Sequence, residues 1–338
     1  MTADRTPPPL QELDDRAVAA LLPERPERGH KGTFGKLLVL AGSLDHLGAA
    51  LLAARAAGRA GTGLVILAVP ASLQPLAAGR VPEVVTMGLP ETEVEGEVDP
   101  EPALDRLLDT DHDAAILGPG LRPGLATVEL VGAYLGTEGA GVSPACVDAE
   151  ALNSLASLPD WPKALRRRCV LTPHVGEFRR LQAGSAELAA AAEADLVADD
   201  EARADVTRRA AGVWGQVLVL KGARTVIAGP DGRTSRAPWQ NPALASGGTG
   251  DVLAGTVGAL LAQGCEPFEA ACAGVYLHGA AGEVVRDRFG DAGLLASDLP
   301  DEIARARKRL AAAREARRGA GRLGFSADRD VTSGGDRS

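Results

Sequence analysis

Aromatic residues are scarce in this sequence: Phe, Trp and Tyr together make up 3% of it. A surface that stacks successive bases of a single strand is therefore excluded, and the core must be packed from Ala, Val and Leu. Basic charge is not in excess either. The net charge is −9, which argues against a nucleic-acid binder held by phosphate contacts, although local cations and backbone N–H groups could still serve a small anion. The four cysteines (Cys146, Cys169, Cys265, Cys272) form no C-x-x-C pair and stand at irregular spacing. Neither a disulfide framework nor a metal site is indicated, and free thiols in a reducing compartment are expected. No stretch approaches the ~18 apolar residues of a membrane span, and "MTADRTPPPL" has no apolar signal core. The expectation is a cytoplasmic protein with no membrane partner.

What is present is an alternation. Short apolar runs, "GKLLVLAGS", "LVILAVP", "EVVTM", "DAAILGPG", "ACVDA", "RCVLTPH", "QVLVLKG" and "TVIAG", read as strands. Helical patterns such as "HLGAALLAARAAGRAG", "GLATVELVGAYL" and "FRRLQAG" lie between most of them. Strands alternating with helices predict an α/β fold with a mainly parallel sheet and crossover helices. From Thr249 onward the pattern is helical only, and small residues there (Ala254, Gly258, Ala271, Gly274) predict close helix packing. "AELAAAAEADLVADDEARADVTRRAAG" reads as one acidic helix with a solvated face. Several strand ends carry glycine or polar residues: Gly42-Ser43, Gly118-Pro119-Gly120, Asp148, Thr172-Pro173-His174 and Lys221-Gly222. Ligands of open α/β sheets bind beyond the carboxyl ends of the strands, so these positions are expected to converge on one cleft in one domain.

The sharpest local feature is "ASGGTGDVLAG", residues 245–255. Three glycines in four positions lead into an apolar helix, with no lysine of the P-loop kind. Glycines let backbone N–H groups approach a ligand, and a helix N-terminus favours anions. Asp251 in the first turn is then either a base beside a phosphoryl group held by Gly248, Thr249 and Gly250, or an acid that merely favours the helix dipole. Local physics leaves both uses open. Gly118-Pro119-Gly120 lacks a third glycine at Rossmann spacing, so a dinucleotide fingerprint is rejected.

The wider context decides between them. "HKGTFGKLLVLAGS", "GAALLAARAAGRAGTGLV", "ILGPGL", "VDAEALN", "VLTPHVGEFRRL", "VLKGARTVIAGPDG", "NPALASGGTGDVLAGTVGALLAQG" and "YLHGAAGE" occur in that order. Together they closely resemble the ADP/ATP-dependent (S)-NAD(P)H-hydrate dehydratase family, carbohydrate-kinase-like members of the ribokinase superfamily, over about His30 to Leu299. The resemblance implies a three-layer α/β/α sandwich with a helical C-terminal part. It implies phosphorylation of the hydrate hydroxyl and loss of phosphate to restore NADH or NADPH. Mg²⁺ and a phosphoryl donor are implied, with ADP expected from the bacterial-looking composition and ATP as the other donor.

Carried over residue by residue, the resemblance makes Asp251 the base and Gly248, Thr249 and Gly250 the anion hole. It places Ala49, Gly120, His174 and Asp251 at the substrate, and Lys221, Gly222, Ala223, Arg224, Thr225 and Gly250 at the adenine nucleotide. Glu177, where the wider superfamily has an N-x-x-E motif, would act indirectly on the metal. Asn241 and Lys31 are expected to line the site without a chemical step. Glu150 departs from the family's usual Asp but keeps the charge. The resemblance further implies a homo-oligomer, tetrameric by family analogy. Residues 1–28 form a segment with one short helical pattern, 29–318 the catalytic domain, and 319–338 a tail expected to be disordered. So short a leading segment leaves no room for the epimerase domain that many bacterial members carry, and a separate epimerase is expected as functional partner. Two other functions fit the superfamily: a vitamin-precursor kinase that keeps its phosphorylated product, and a nucleotide-binding regulator without catalysis.

Overall fold

The computed structural model describes residues 8–139, 142–188 and 195–324. A two-residue strand β1 (Gln11–Glu12) and a short helix α1 (Asp15–Leu21) come first, then β2 (Lys36–Leu40), α2 (Leu47–Arg59) and β3 (Leu64–Pro70). Next are α3 (Gln74–Ala78), β4 (Val85–Leu89), α4 (Pro100–Leu108), β5 (Ala114–Leu117) and α5 (Leu125–Gly136). They are followed by β6 (Ala145–Val147), α6 (Glu150–Ser157), β7 (Cys169–Leu171), α7 (Val175–Ala183), α8 (Asp200–Trp214) and β8 (Val217–Leu220). β9 (Val226–Ala228) and β10 (Thr234–Arg236) precede three final helices, α9 (Thr249–Ala262), α10 (Pro267–Phe289) and α11 (Leu299–Gly324).

Among the described residues all ten strands join one sheet in the order β1-β10-β9-β8-β7-β6-β5-β2-β3-β4. From β8 to β4 every pairing is parallel; only β9 runs antiparallel to its neighbours. The apolar runs read as strands because both of their faces are covered, which is how strands of a parallel sheet lose the polar alternation. Leu37 and Val39 of β2 face a core shared with α1, α2, α9, α10 and α11. Leu38 and Leu40 face the second core, under α4 to α8. The result is the expected three-layer sandwich. Small residues matter most at α9, which is buried from Val252 to Ala262. A Cβ at Gly255 would lie 2.3 Å from the Ala53 carbonyl oxygen of α2, and one at Gly274 would lie 2.6 Å from Val257. Gly258 makes room for Ile116 of the sheet rather than for a helix.

The structure departs from the sequence reading in four places. β1 and β10 were not expected. β4 starts at Val85, two residues later than "EVVTM" suggests. The acidic stretch is not one helix: of residues 186–212, those at 189–194 lie outside the described residues, and the Asp199 carboxylate caps a new helix at Asp200 by accepting from Glu201 and Ala202 N–H. Nor is that helix only a solvated face, since Arg203 is 1% exposed. At the C-terminus α11 runs on to Gly324, and residues 325–338 of the expected tail lie outside the described residues. The cysteines are free, and burial pushes Cys169 up to about 12, so its thiol stays protonated. Among the described residues no helix is long and apolar enough to cross a membrane.

The chain order reverses between β2 and β5, which makes their carboxyl ends the switch point where open α/β sheets hold ligands. Gly42 and Gly118-Pro119-Gly120 sit there, and Gly42 N–H donates to the Pro119 carbonyl at 2.8 Å.

Candidate active site

The glycine turn opens α9 without a side-chain cap. Gly248 has φ +87, and a side chain there would strike Leu52 of α2 at 2.8 Å and Ala296 at 3.0 Å. Thr249 Oγ1 donates to the carbonyls of Leu244 (2.8 Å) and Ser246 (2.9 Å). The Thr249 carbonyl in turn accepts from Nε2 of the buried His278 at 2.9 Å. At Gly250 the situation is the reverse of Gly248. A Cβ would meet only Lys221 Nζ at 3.5 Å and Asp148 Oδ2 at 3.8 Å, so the charged groups stand beside this Cα with only ordinary contacts.

Asp251 follows in the first turn. Burial pushes its carboxyl up to about 7; the Asp148 charge adds to the rise and Lys221 opposes it. The influences are burial and charge alone, with no hydrogen bond among them. A carboxylate poised near neutrality and not committed to a donor is suited to take a proton.

The charges around it come from strand ends far apart in sequence. Lys221 closes β8, and its Nζ lies 2.7 Å from Asp148 Oδ1 and 3.8 Å from Glu177 Oε2. Burial alone would lower the Lys221 pKa, but the Asp148 and Glu177 charges outweigh it and raise it, which keeps the ammonium charged. Glu177 is raised by burial, with Lys221 working against the shift.

His174 and Glu177 cap α7 reciprocally. Glu177 Oε2 accepts from His174 N–H at 2.8 Å, while His174 Nδ1 accepts from Gly176 N–H at 2.9 Å and Glu177 N–H at 3.3 Å. An Nδ1 that accepts leaves the proton on Nε2. Burial first, then Lys221 and Arg180, lower the His174 pKa. The imidazole is therefore a neutral group with Nε2–H as its donor.

A cavity of 810 Å³ opens beside this cluster. Lys221, Gly222, Ala223 and Thr225 of the predicted nucleotide run line it, together with His174, Thr249, Gly250 and Asn241. Arg224 does not: its guanidinium pairs with Glu12 at 2.6 Å, and its backbone has φ +68. Lys31 is also outside the lining and opens a short 3₁₀ turn instead. Ala49 and Gly120 meet on the other side of the turn, at the switch point. A Cβ on Gly120 (φ +66) would lie 2.9 Å from the Ala49 Cβ. The glycine turn joins the two regions, since Gly248 abuts Leu52, one turn along α2 from Ala49, and Gly250 lines the cavity.

Two residues of this site had no role assigned from the sequence, although Asp148 was among the strand ends expected at the cleft. Asp148 is 2% exposed and pairs with Lys221. Its signal was a lone carboxylate closing the apolar run "ACVDA". The next residue, Ala149, has φ 49 and ψ −123, a strained conformation for a residue with a Cβ. The turn drives the Asp148 carbonyl into the space a side chain on Gly118 would fill, with its oxygen 1.7 Å from that Cβ position. That explains the first glycine of "GPG". The other missed residue is Trp239, a cavity wall that follows β10 and that no motif marks.

Known proteins share the sequence and the fold. Residues 37–305 match the family model described as NAD(P)H-hydrate dehydratase. The chain is 42% identical over 282 residues to the bifunctional NAD(P)H-hydrate repair enzyme Nnr of Moorella thermoacetica, covering 83% of this chain and 50% of that protein. It thus spans about half the length of the bifunctional relatives it matches. It is 38% identical over 280 residues to the ADP-dependent (S)-NAD(P)H-hydrate dehydratase of Neisseria meningitidis, covering 81% of this chain and 86% of that one. In three dimensions it resembles the Bacillus subtilis ADP/ATP-dependent NAD(P)H-hydrate dehydratase co-crystallized with ATP/Mg²⁺. That likeness has a TM-score of 0.72 and 33% identity, and covers 89% of this chain and 99% of that one. With the fold and the matched span in agreement, the chain belongs to the NAD(P)H-hydrate dehydratase family.

Proposed function

We propose that this chain converts the S epimers of hydrated NADH and NADPH back to NADH and NADPH, with ADP as phosphoryl donor. The observation that carries the reading is Asp251, a carboxyl pushed up to about 7 in the first turn of α9. It lies on the turn that joins the 810 Å³ cavity to the Ala49–Gly120 cleft.

The damaged ring carries a hydroxyl on a saturated carbon next to nitrogen, and hydroxide is a poor leaving group. Asp251 takes the hydroxyl proton as that oxygen bonds to the β-phosphorus of ADP; the bond from phosphorus to the bridging oxygen breaks and AMP leaves. The N–H groups of the glycine turn and the Lys221 ammonium face the transferring phosphoryl. The ring nitrogen's electron pair then expels phosphate, and loss of a proton from the adjacent carbon restores the double bond. The balance is hydrate plus ADP giving reduced nucleotide, AMP and phosphate.

Mg²⁺ belongs to this reading as a partner of the phosphates. Among the described residues no three His, Cys, Asp or Glu groups are arranged to hold a metal ion, and Lys221 occupies the position between Asp148 and Glu177. This donor set fits an ion that would be held mainly by phosphate and water, with Glu177 acting on it indirectly. Bound there, Mg²⁺ would neutralise phosphate charge. The reading extends to a cytoplasmic homo-oligomer, a tetramer by family analogy. An epimerase activity would supply the S epimer from the R epimer.

The test is an absorbance assay on hydrated NADH with Mg²⁺ and ADP or ATP. Return of reduced-nicotinamide absorbance with ADP is the expected result, and return with ATP alone would correct the donor. No return with either, on protein that binds nucleotide, would reject the dehydratase in favour of a kinase that keeps its phosphorylated product.

A further inference from the structure

Two walls of the 810 Å³ cavity are tied to one stretch of chain that the proposed chemistry does not use, residues 11–21. β1 lies beside β10, pairing Glu12 with Arg236, and Leu13 N–H donates to the Arg236 carbonyl at 3.0 Å. Leu13, Val18 and Leu22 are buried in the core, so the segment is anchored. Two of its carboxylates then contact residues that neighbour the cavity wall.

Glu12 Oε1 is 2.6 Å from Nη2 of Arg224. Arg224 stands between Ala223 and Thr225, both of which line the cavity, and holds φ +68. A non-glycine residue keeps such a conformation only where its surroundings determine it, and Glu12 is the ion-pair partner of its guanidinium. Asp15 Oδ1 accepts from Tyr276 Oη at 2.7 Å, with Arg309 Nη2 at 3.6 Å. The Tyr276 ring packs on Trp239 with centroids 4.4 Å apart at 54°. Trp239 also lies over Gly279, where a Cβ would come within 2.4 Å of the indole, and it forms part of the cavity wall. An indole on such a wall presents a face on which a purine can stack.

We infer that residues 11–21 are a positioning brace for the nucleotide cavity. Glu12 sets the phosphate loop through Arg224, and Asp15, through Tyr276, sets Trp239 as the platform for the adenine base. The inference rests on the proposed use of this cavity for a nucleotide. Neither acid touches substrate; both act through a neighbour. The Glu12 and Asp15 side chains are 51% and 49% exposed, and pairs that exposed contribute little to stability. Their loss should therefore register in nucleotide handling and not in folding.

The experiment uses the full chain, with ADP as probe. Glu12→Ala and Asp15→Ala should each raise the KM for ADP by about 3–10-fold while leaving the KM for hydrated NADH and the Tm unchanged. Tyr276→Phe should match Asp15→Ala, and the double variant should be no worse than either single one, as expected of one shared contact. Asp15→Asn keeps an acceptor oxygen and should restore the parent value. Trp161 and Trp214 are 0% and 3% exposed, so quenching of tryptophan fluorescence by ADP reports on Trp239. An unchanged KM for ADP in all three variants would overturn the brace. So would a Tm and a hydrate KM that move in step with it, or ADP binding by calorimetry without quenching. A parent protein that quenches with ADP yet never regenerates NADH defeats the proposed activity and leaves the brace standing; regeneration without quenching does the opposite.

Discussion

Removing the charge of Asp148 should move the pH dependence of the reaction, and Asp148→Asn is the perturbation that shows it. The Asp251 carboxyl is pushed up to about 7 by burial, with Asp148 the largest charge adding to the rise. A base of that pKa is half ionised at pH 7 and about one-tenth ionised at pH 6, so kcat/KM for the hydrate should fall about tenfold per pH unit below neutrality. The substitution deletes a negative charge that raises Asp251 and unpairs Lys221, which sits 2.7 Å from Asp148 and lowers Asp251. Both changes act in the same direction. A unit charge about 7 Å away, in surroundings of effective dielectric constant about 40, is generally worth about 1.2 kcal/mol, close to one pH unit. The acid limb of the variant should therefore shift to lower pH by about one unit or more. The assay is kcat/KM for hydrated NADH between pH 5 and 8 at saturating ADP. The terminal phosphate of ADP titrates in the same range, but identically with both proteins, so the difference between the curves isolates the enzyme. Acid limbs that coincide would refute the electrostatic coupling, and a parent limb at the ordinary carboxylate range would refute Asp251 as a base of raised pKa.

Asp251→Asn should cut turnover by about 10³-fold or more while calorimetry still shows ADP binding; near-parent turnover would end its assignment as the base. The same variant should melt higher than the parent at pH 8 and alike near pH 4. A raised folded-state pKa means the native protein holds this proton longer than the unfolded chain, so the parent loses stability as pH climbs toward 7. The gain should be about 2 °C or more, the effect of ~1 kcal/mol in a chain of this size, read by calorimetric scans. Gly118→Ala and Gly250→Ala should separate folding from binding. The first puts a Cβ 1.7 Å from the Asp148 carbonyl oxygen at φ +122 and should cost about 2–4 kcal/mol in denaturant unfolding. The second has only ordinary contacts and should leave Tm within about 2 °C, while ADP affinity falls about tenfold or more as the cleft fills. Lys221→Met strands the 2% exposed Asp148 without its counter-charge and should destabilise by about 3 kcal/mol, measured the same way.

Much of this protein was legible along the chain because its parallel strands are covered on both faces. Full cover removes polar alternation, so "KLLVL" and "LVILAVP" stand out as unbroken apolar runs. The glycine turn was equally legible, since the residues that form it are adjacent in sequence. β1 and β10 were not. "QE" and "TSR" are too short and polar to carry a period, and they become strands only because each finds an edge to pair with. The start of α8 was hidden by composition, because an Ala-rich acidic run favours helix throughout and the break depends on the Asp199 cap. Tertiary structure alone decided the electrostatics of the site. Asp148 and Lys221 meet across 73 residues, and Glu12 takes up Arg224 across 212. Sequence therefore determined which groups could do the chemistry. The raised pKa of Asp251, the neutral state of His174 and the commitment of Arg224 come from burial and from charges brought within a few ångströms. Those are properties of distance in space, which order along the chain does not encode.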